Sequence, residues 1–194
     1  MEFLYNNVKN DRQMRGTTGL SVGLFNQLLP FFIIAYKEVE GLSLEEKVAD
    51  NVQTFVFQRY EDMLYLVLFY LKSGITTDIL GVIYGKDGGQ MKRFVDKYNV
   101  ILLHALSLQD CLPERSFPSV AAFKRFLEDH KELIVDATEV PVDRPEKDEA
   151  QKKVYSGKKK KHCVKNTVIC TPDKRILFLG KTTHGSQHDY SLFK

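Results

Sequence analysis

The sequence predicts an α+β chain, an all-helical first half followed by an antiparallel β segment. Between Val22 and Leu106 the apolar residues recur at helical spacing, punctuated by helix start and stop signals. From Ile134 onward the pattern changes to β-branched runs separated by turn residues. The Pro-containing connection 110–118 lies between the two patterns. It predicts a helical domain over 1–110 and a second domain over 118–194.

The balance of 43% hydrophobic and 27% charged residues in 194 is that of ordinary soluble globular proteins. The net charge of +3 is weakly basic, so the distribution of charge matters more than its sum. Three cysteines, Cys111, Cys163 and Cys170, form no close pairs. That argues against a disulfide framework or zinc ribbon and for reduced thiols in the cytosol. The start, Met1-Glu2-Phe3-Leu4, has no basic segment of a secretory signal. The apolar run at 28–36, interrupted by Pro30, falls short of the ~20 residues that span a bilayer. No Rossmann or P-loop glycine pattern is present, so neither a membrane nor a nucleotide cofactor is expected as a partner.

In chain order, residues 1 to about 20 read as a polar loop. Phe25, Leu28, Leu29, Phe32, Ile33 and Tyr36 then mark a helix over 22–39, with Pro30 in its first turn or at a kink. Ser43-Leu44-Glu45-Glu46 has the form of a capping box. It opens a long helical region, in one or two pieces, that stops at Ser73-Gly74. A short helix follows over 76–84, capped by Thr76 or Thr77. After the tight turn at 85–88, Gly89 opens a longer helix whose apolar positions are Met91, Phe94, Val95, Tyr98, Leu102 and Leu106. Short helix, Gly-containing turn and basic-faced helix outline a helix-turn-helix at about 76–95. Gln90, Lys92 and Arg93 stand at the exposed start of its second helix, where DNA base edges or phosphates are reached. An αα-hairpin with a solvated polar face fits the same pattern. The paired Gly88-Gly89 also counts against a helix interior, at up to ~1 kcal/mol each.

A further amphipathic helix over 118–127 leads into a β-branched strand over 133–142 with Asp136 in its middle. A buried carboxylate there must be paired, hydrogen-bonded or metal-bound; a structural Asp at a strand end is the plainer alternative. After a charged loop at 143–149 comes the strongest charge block, Lys152-Lys153 and Lys158-Lys159-Lys160-Lys161. It abuts a hairpin of strands over 163–170 and 175–179, turned at Thr171-Pro172-Asp173-Lys174. A lysine run is usually a solvated face, but one displayed at the mouth of a sheet suits phosphate contact. His188 opens the start of a helix. His184 and His188, four apart across Gly185-Ser186, form a weak metal pair with no further ligands at zinc spacing.

Three blocks of the second half resemble the DDE-type transposases, in particular the insertion-sequence and Harbinger-like group. They are Ile134-Val135-Asp136-Ala137-Thr138-Glu139-Val140-Pro141 with Arg144-Pro145, then the run from Tyr155-Ser156-Gly157 to Lys165-Asn166, and Gly185-Ser186-Gln187-His188-Asp189. The first half, with Thr18-Gly19-Leu20-Ser21 and the helix-turn-helix, is similar to the helical domain that precedes the nuclease there. The resemblance implies a ribonuclease H-like second domain whose first three strands form an antiparallel meander. It implies DNA phosphodiester cleavage and strand transfer at transposon ends, using two Mg²⁺ or Mn²⁺ ions ~4 Å apart. It makes Asp136 the first catalytic acid and metal ligand. Asp189, 53 residues on (189 − 136), is the second, or stands beside an acid that follows Lys194. Lys158, Lys159, Lys160, Lys161 and Lys165 would hold the DNA backbone. Glu139, turned to the other face of a regular strand, has no part in it. The family's last acid, a Glu on a later helix, has no counterpart. The expectation is therefore a truncated, inactive transposase with an exposed first-strand edge, in the bacterial cytosol at the nucleoid, alone or as a homo-oligomer. A non-catalytic DNA-binding fragment that occupies transposon ends is the alternative.

Overall fold

The computed structural model describes residues 4–50 and 56–187. The chain divides after Cys111 into two compact units.

The first unit is all helical: a 3₁₀ turn at Leu4–Asn7, then α1 (Asp11–Thr18), α2 (Val22–Glu40), α3 (Leu44–Asp50), α4 (Tyr60–Ser73), α5 (Thr77–Tyr84) and α6 (Gly88–Leu108). Its core is drawn chiefly from α2, α4 and α6, with Phe25, Phe32, Met63, Leu64, Leu66, Met91 and Ile101 all buried. Pro30 lies inside α2, well past its first turn. The capping box forms: the Glu46 amide donates to Ser43 Oγ at 3.1 Å, and the Ser43 amide donates to Glu46 Oε2 at 2.7 Å. No single helix among the described residues is long and apolar enough to cross a membrane.

The expected N-terminal loop is instead helical over α1. Asn10 caps it, accepting from the Gln13 amide at 3.0 Å, and Asp11 pairs with Arg15 at 2.7 Å. Asp11 also accepts from the Val22 amide at 2.7 Å, tying α1 to the start of α2. The helix thus rests on caps and one longer-range bond, with little apolar periodicity to announce it.

Asp62 on α4 is a local conflict within this unit. It is 2% exposed, and neither carboxylate oxygen has a hydrogen-bond partner among the described residues. Burial raises its pKa above the ordinary carboxylate value, with Arg59 opposing and Glu61 reinforcing the shift. The folded unit therefore holds the Asp62 proton more tightly than the unfolded chain. Stability falls as pH rises from the unfolded value near ~4 through the raised folded value, and the whole penalty is present above both. Asp62→Asn is expected to raise the unfolding free energy of this unit at neutral pH by about 1–2 kcal/mol. The gain should shrink in acid, which denaturant titrations across pH would read directly.

The second unit contains α7 (Val120–Glu128), β1 (Ile134–Pro141), α8 (Asp148–Val154), β2 (Tyr155–Ser156), β3 (Lys161–Cys170), β4 (Ile176–Leu179) and β5 (Thr183–His184). The strands make one antiparallel sheet with β3 at its centre. β1 pairs along one side of it, and β2, β4 and β5 along the other. The β1–β3 ladder runs unbroken from Ile134↔Cys170 to Pro141↔Cys163. On β3 the buried residues are Cys163, Lys165 and Ile169, all odd-numbered, so one sheet face is covered and the other is open. Phe117 stacks against Phe178 at 5.3 Å and packs on Phe123 and Phe126 of α7, covering one end of that face.

The helix α8 occupies part of the expected charged loop. Its acids Asp148 and Glu149 sit at the positive end and Lys152 and Lys153 at the negative end, which favours a helix without any apolar face.

Candidate nucleic-acid and catalytic site

Asp136 stands in the middle of β1, opposite Val168, on the open face of the sheet. Its side chain is exposed, and one oxygen accepts from the adjacent Ala137 amide at 2.8 Å. The sequence led to a buried carboxylate; the structure corrects this, because nothing among the described residues covers the sheet at Asp136. Asp189 and His188 lie outside the described residues. Among the described residues no group of three acidic, His or Cys side chains stands close enough to hold a metal.

The lysines divide. Lys158, Lys159, Lys160 and Lys161 are exposed on the turn that joins β2 to β3 and at the start of β3. Ser156 anchors that turn: its carbonyl accepts from the Lys160 amide at 2.7 Å, and its buried hydroxyl accepts from the Lys159 amide at 3.3 Å. Lys165, by contrast, is 4% exposed on the covered face, opposite the one that carries Asp136. It sits directly across from Glu139 in the ladder, with Nζ 3.5 Å from Glu139 Oε1 and donating at 2.9 Å to the Gln187 carbonyl. The Cys163 thiol donates to Glu139 Oε2 at 3.3 Å. Burial and the nearby Glu139 carboxylate push the Cys163 pKa up, which keeps the thiol protonated and unreactive.

This buried group fastens the 185–187 turn to the sheet. The Gly185 amide donates to the Cys163 carbonyl at 3.0 Å, and the Ser186 hydroxyl donates to the Lys153 carbonyl at 2.6 Å. A Cβ at Gly185 would lie 2.4 Å from the Cys163 carbonyl oxygen and 2.7 Å from that of Val154, so only glycine fits. Lys158 and Lys165 both line a cavity of about 270 Å³ beside this turn, together with Ser156, Gly157, Ser186 and Gln187. Glu139 was the residue that sequence reasoning set aside. The signal that recovers it is the cross-strand register, which places it opposite Lys165.

In the first unit, Gln90, Lys92 and Arg93 follow the N-cap of α6. Asp87 accepts from the Gln90 amide at 2.8 Å, and Lys92 pairs with Asp96 at 2.7 Å in the open. The connection between α5 and α6 is three residues long, and its Gly85 is left-handed. Gly81 lets the turn press against α5, since a Cβ there would lie 2.6 Å from the Lys86 carbonyl oxygen.

Residues 135–194 match the family model described as DDE superfamily endonuclease. The chain is 30% identical over 135 residues to the probable transposase for insertion sequence element IS702 of Microchaete diplosiphon, a stretch covering 69% of this chain. It spans 45% of that relative's length. No solved structure matches the chain. By these two matches residues 135–194 belong to the DDE superfamily endonucleases, and the chain is similar over 135 residues to an insertion-sequence transposase.

Proposed function

We propose that this chain acts on DNA as part of a DDE-type transposase. Its second unit supplies the phosphodiester-cleaving site and its first unit grips the DNA. The observation that carries the reading is Asp136, exposed in mid-strand on an open sheet face, at the second residue of the matched endonuclease segment. In this reading the sheet is the opening portion of a ribonuclease H-like fold. Asp136 is a ligand of Mg²⁺ or Mn²⁺, with Asp189 as the second acid. Bound there, the metal would supply activation of the attacking oxygen and stabilisation of the leaving one. A single carboxylate does not make a Mg²⁺ site, which needs several oxygen ligands. The described residues do not complete one, and no step is assigned to the metal. The role of Asp136 is to present a hard anionic oxygen, and that of Lys158 to Lys161 is to neutralise phosphates along the backbone.

The α5–α6 hairpin supports a helix-turn-helix in the first unit. Its three-residue turn, left-handed Gly85 and polar Gln90, Lys92 and Arg93 at the start of the longer helix are what such a reader requires. A DNA-binding role without catalysis rests on this hairpin alone.

The test is Mn²⁺ binding to the whole chain, followed by electron paramagnetic resonance, beside DNA binding measured on the same samples. Asp136→Asn is expected to weaken Mn²⁺ binding by about tenfold or more and to leave DNA affinity in place. Lys92→Ala with Arg93→Ala should do the reverse. Equal Mn²⁺ affinity in wild type and Asp136→Asn would remove Asp136 from the site and leave the DNA-binding reading.

A further inference from the structure

We infer that the cleft between α8 and the β2–β3 hairpin is a binding site for a single unstacked nucleotide of a DNA strand, the base lying on Tyr155 and the phosphate on Arg144 and Lys152. The inference rests on the reading that this chain binds DNA.

The cleft is about 430 Å³ and is lined by Arg144, Gln151, Lys152, Tyr155 and His162. That volume lies within the range of small-molecule clefts, ~300–1,000 Å³. Among the described residues no carboxylate lines it, and its walls carry Arg144, Lys152 and the imidazole of His162. Tyr155 remains 43% exposed although it sits in a strand pair, and its ring meets His162 edge-on at 5.5 Å. The pairing Tyr155↔His162 holds the ring in place across the β2–β3 ladder. Arg144 Nε donates to Gln151 Oε1 at 2.9 Å, and Gln151 Nε2 donates to the Glu146 carbonyl at 3.4 Å. These bonds hold the guanidinium against α8. An aromatic face bordered by fixed and flexible cations is the combination that binds unpaired nucleotides with little regard to base identity.

The position of the cleft adds a second argument. His162 is even-numbered on β3, like Val168 opposite Asp136, so the cleft and Asp136 lie on the same face of the sheet. Six residues separate His162 from Val168 (168 − 162), or ~20 Å along the strand. That distance equals about six base-pair steps of duplex at 3.4 Å each. The lysine turn that begins after Ser156 adjoins the cleft and supplies phosphate contacts for the strand leading to it. A duplex lying along this face would have the first nucleotide of a single-stranded overhang at Tyr155.

The experiment compares binding of the full chain to a blunt duplex and to the same duplex carrying a short single-stranded overhang with 2-aminopurine. The overhang duplex is expected to bind about tenfold tighter, with its 2-aminopurine fluorescence quenched by stacking. Tyr155→Ala should abolish both the preference and the quenching while blunt-duplex affinity stays within about twofold. Tyr155→Phe should retain them, which separates ring stacking from any general loss of structure. Equal binding of the two duplexes by the wild type, or a preference that survives Tyr155→Ala, overturns the inference alone. Failure to bind either duplex overturns the DNA reading together with it.

Discussion

Lys165→Met is expected to lower the unfolding free energy of the second unit by about 3–5 kcal/mol, the cost of leaving one partner of a buried ion pair behind. Lys165 is 4% exposed, and Glu139 is nearly as enclosed, with 12% of its side chain reached by solvent. Removing the ammonium strands the Glu139 carboxylate beside the Cys163 thiol and also frees the Gln187 carbonyl. Small domains are stable by only ~5–15 kcal/mol, so the loss would be visible as a large shift in the denaturation midpoint. The double variant Glu139→Met with Lys165→Met removes both charges and should recover most of the stability. A double variant no better than Lys165→Met would show that the lysine acts through bonds other than the ion pair, the one to the Gln187 carbonyl among them. Lys165 is a buried clamp on the 185–187 turn, whereas Lys158 to Lys161 meet solvent.

Gly81→Ala should have a comparable effect in the first unit. In an exposed helix interior the change normally stabilises by up to ~1 kcal/mol. Here the new Cβ meets the Lys86 carbonyl oxygen at 2.6 Å, the Gly88 amide nitrogen at 3.1 Å and the Asp87 carbonyl carbon at 3.2 Å. All three are backbone atoms, so no rotamer change relieves the contact. The Lys86 amide also donates to the Gly81 carbonyl at 2.8 Å, which would have to lengthen as α5 moves away. We expect a loss of about 2–3 kcal/mol, typical of overpacking, measured by thermal unfolding. Gly16→Ala is the internal control: a Cβ there meets nothing within 4 Å on α1, and that variant should gain ~0.5–1 kcal/mol. Under the helix-turn-helix reading, Gly81→Ala should also weaken DNA binding, because the turn sets the angle at which α6 is presented.

The elements that announced themselves in the sequence did so through local chemistry. Ser43 with Glu46, and Thr76, cap the helices expected of them, because capping needs only a side chain and an amide three residues away. The β1–β3–β4 arrangement was equally legible from β-branched runs and a Pro-containing turn. Features that depend on the far side of the fold were not. α1 rests partly on Asp11 reaching the Val22 amide, and α8 has no apolar face, so periodicity is silent on both. The exposure of Asp136 and the burial of Lys165 reverse what residue type and neighbourhood suggest. Both follow from which sheet face is covered, and that is decided by Phe117, α7 and the 185–187 turn rather than by the strands themselves.

The ladder between β1 and β3 also sets an order of events at the ribosome. Its nearest pair, Pro141↔Cys163, is separated by 22 residues (163 − 141) and its farthest, Ile134↔Cys170, by 36 (170 − 134). At ~5–20 residues per second, the strand bearing Asp136 waits roughly 1–7 s for its partner to be synthesised. The helical unit is complete at Cys111 and can fold during that interval. Nascent β1, which carries Ile134, Val135 and Val140, is for those seconds an unpaired strand. Slower translation through the lysine codons at 158–161 would lengthen the exposure, and chaperone capture of the stalled nascent chain should peak there.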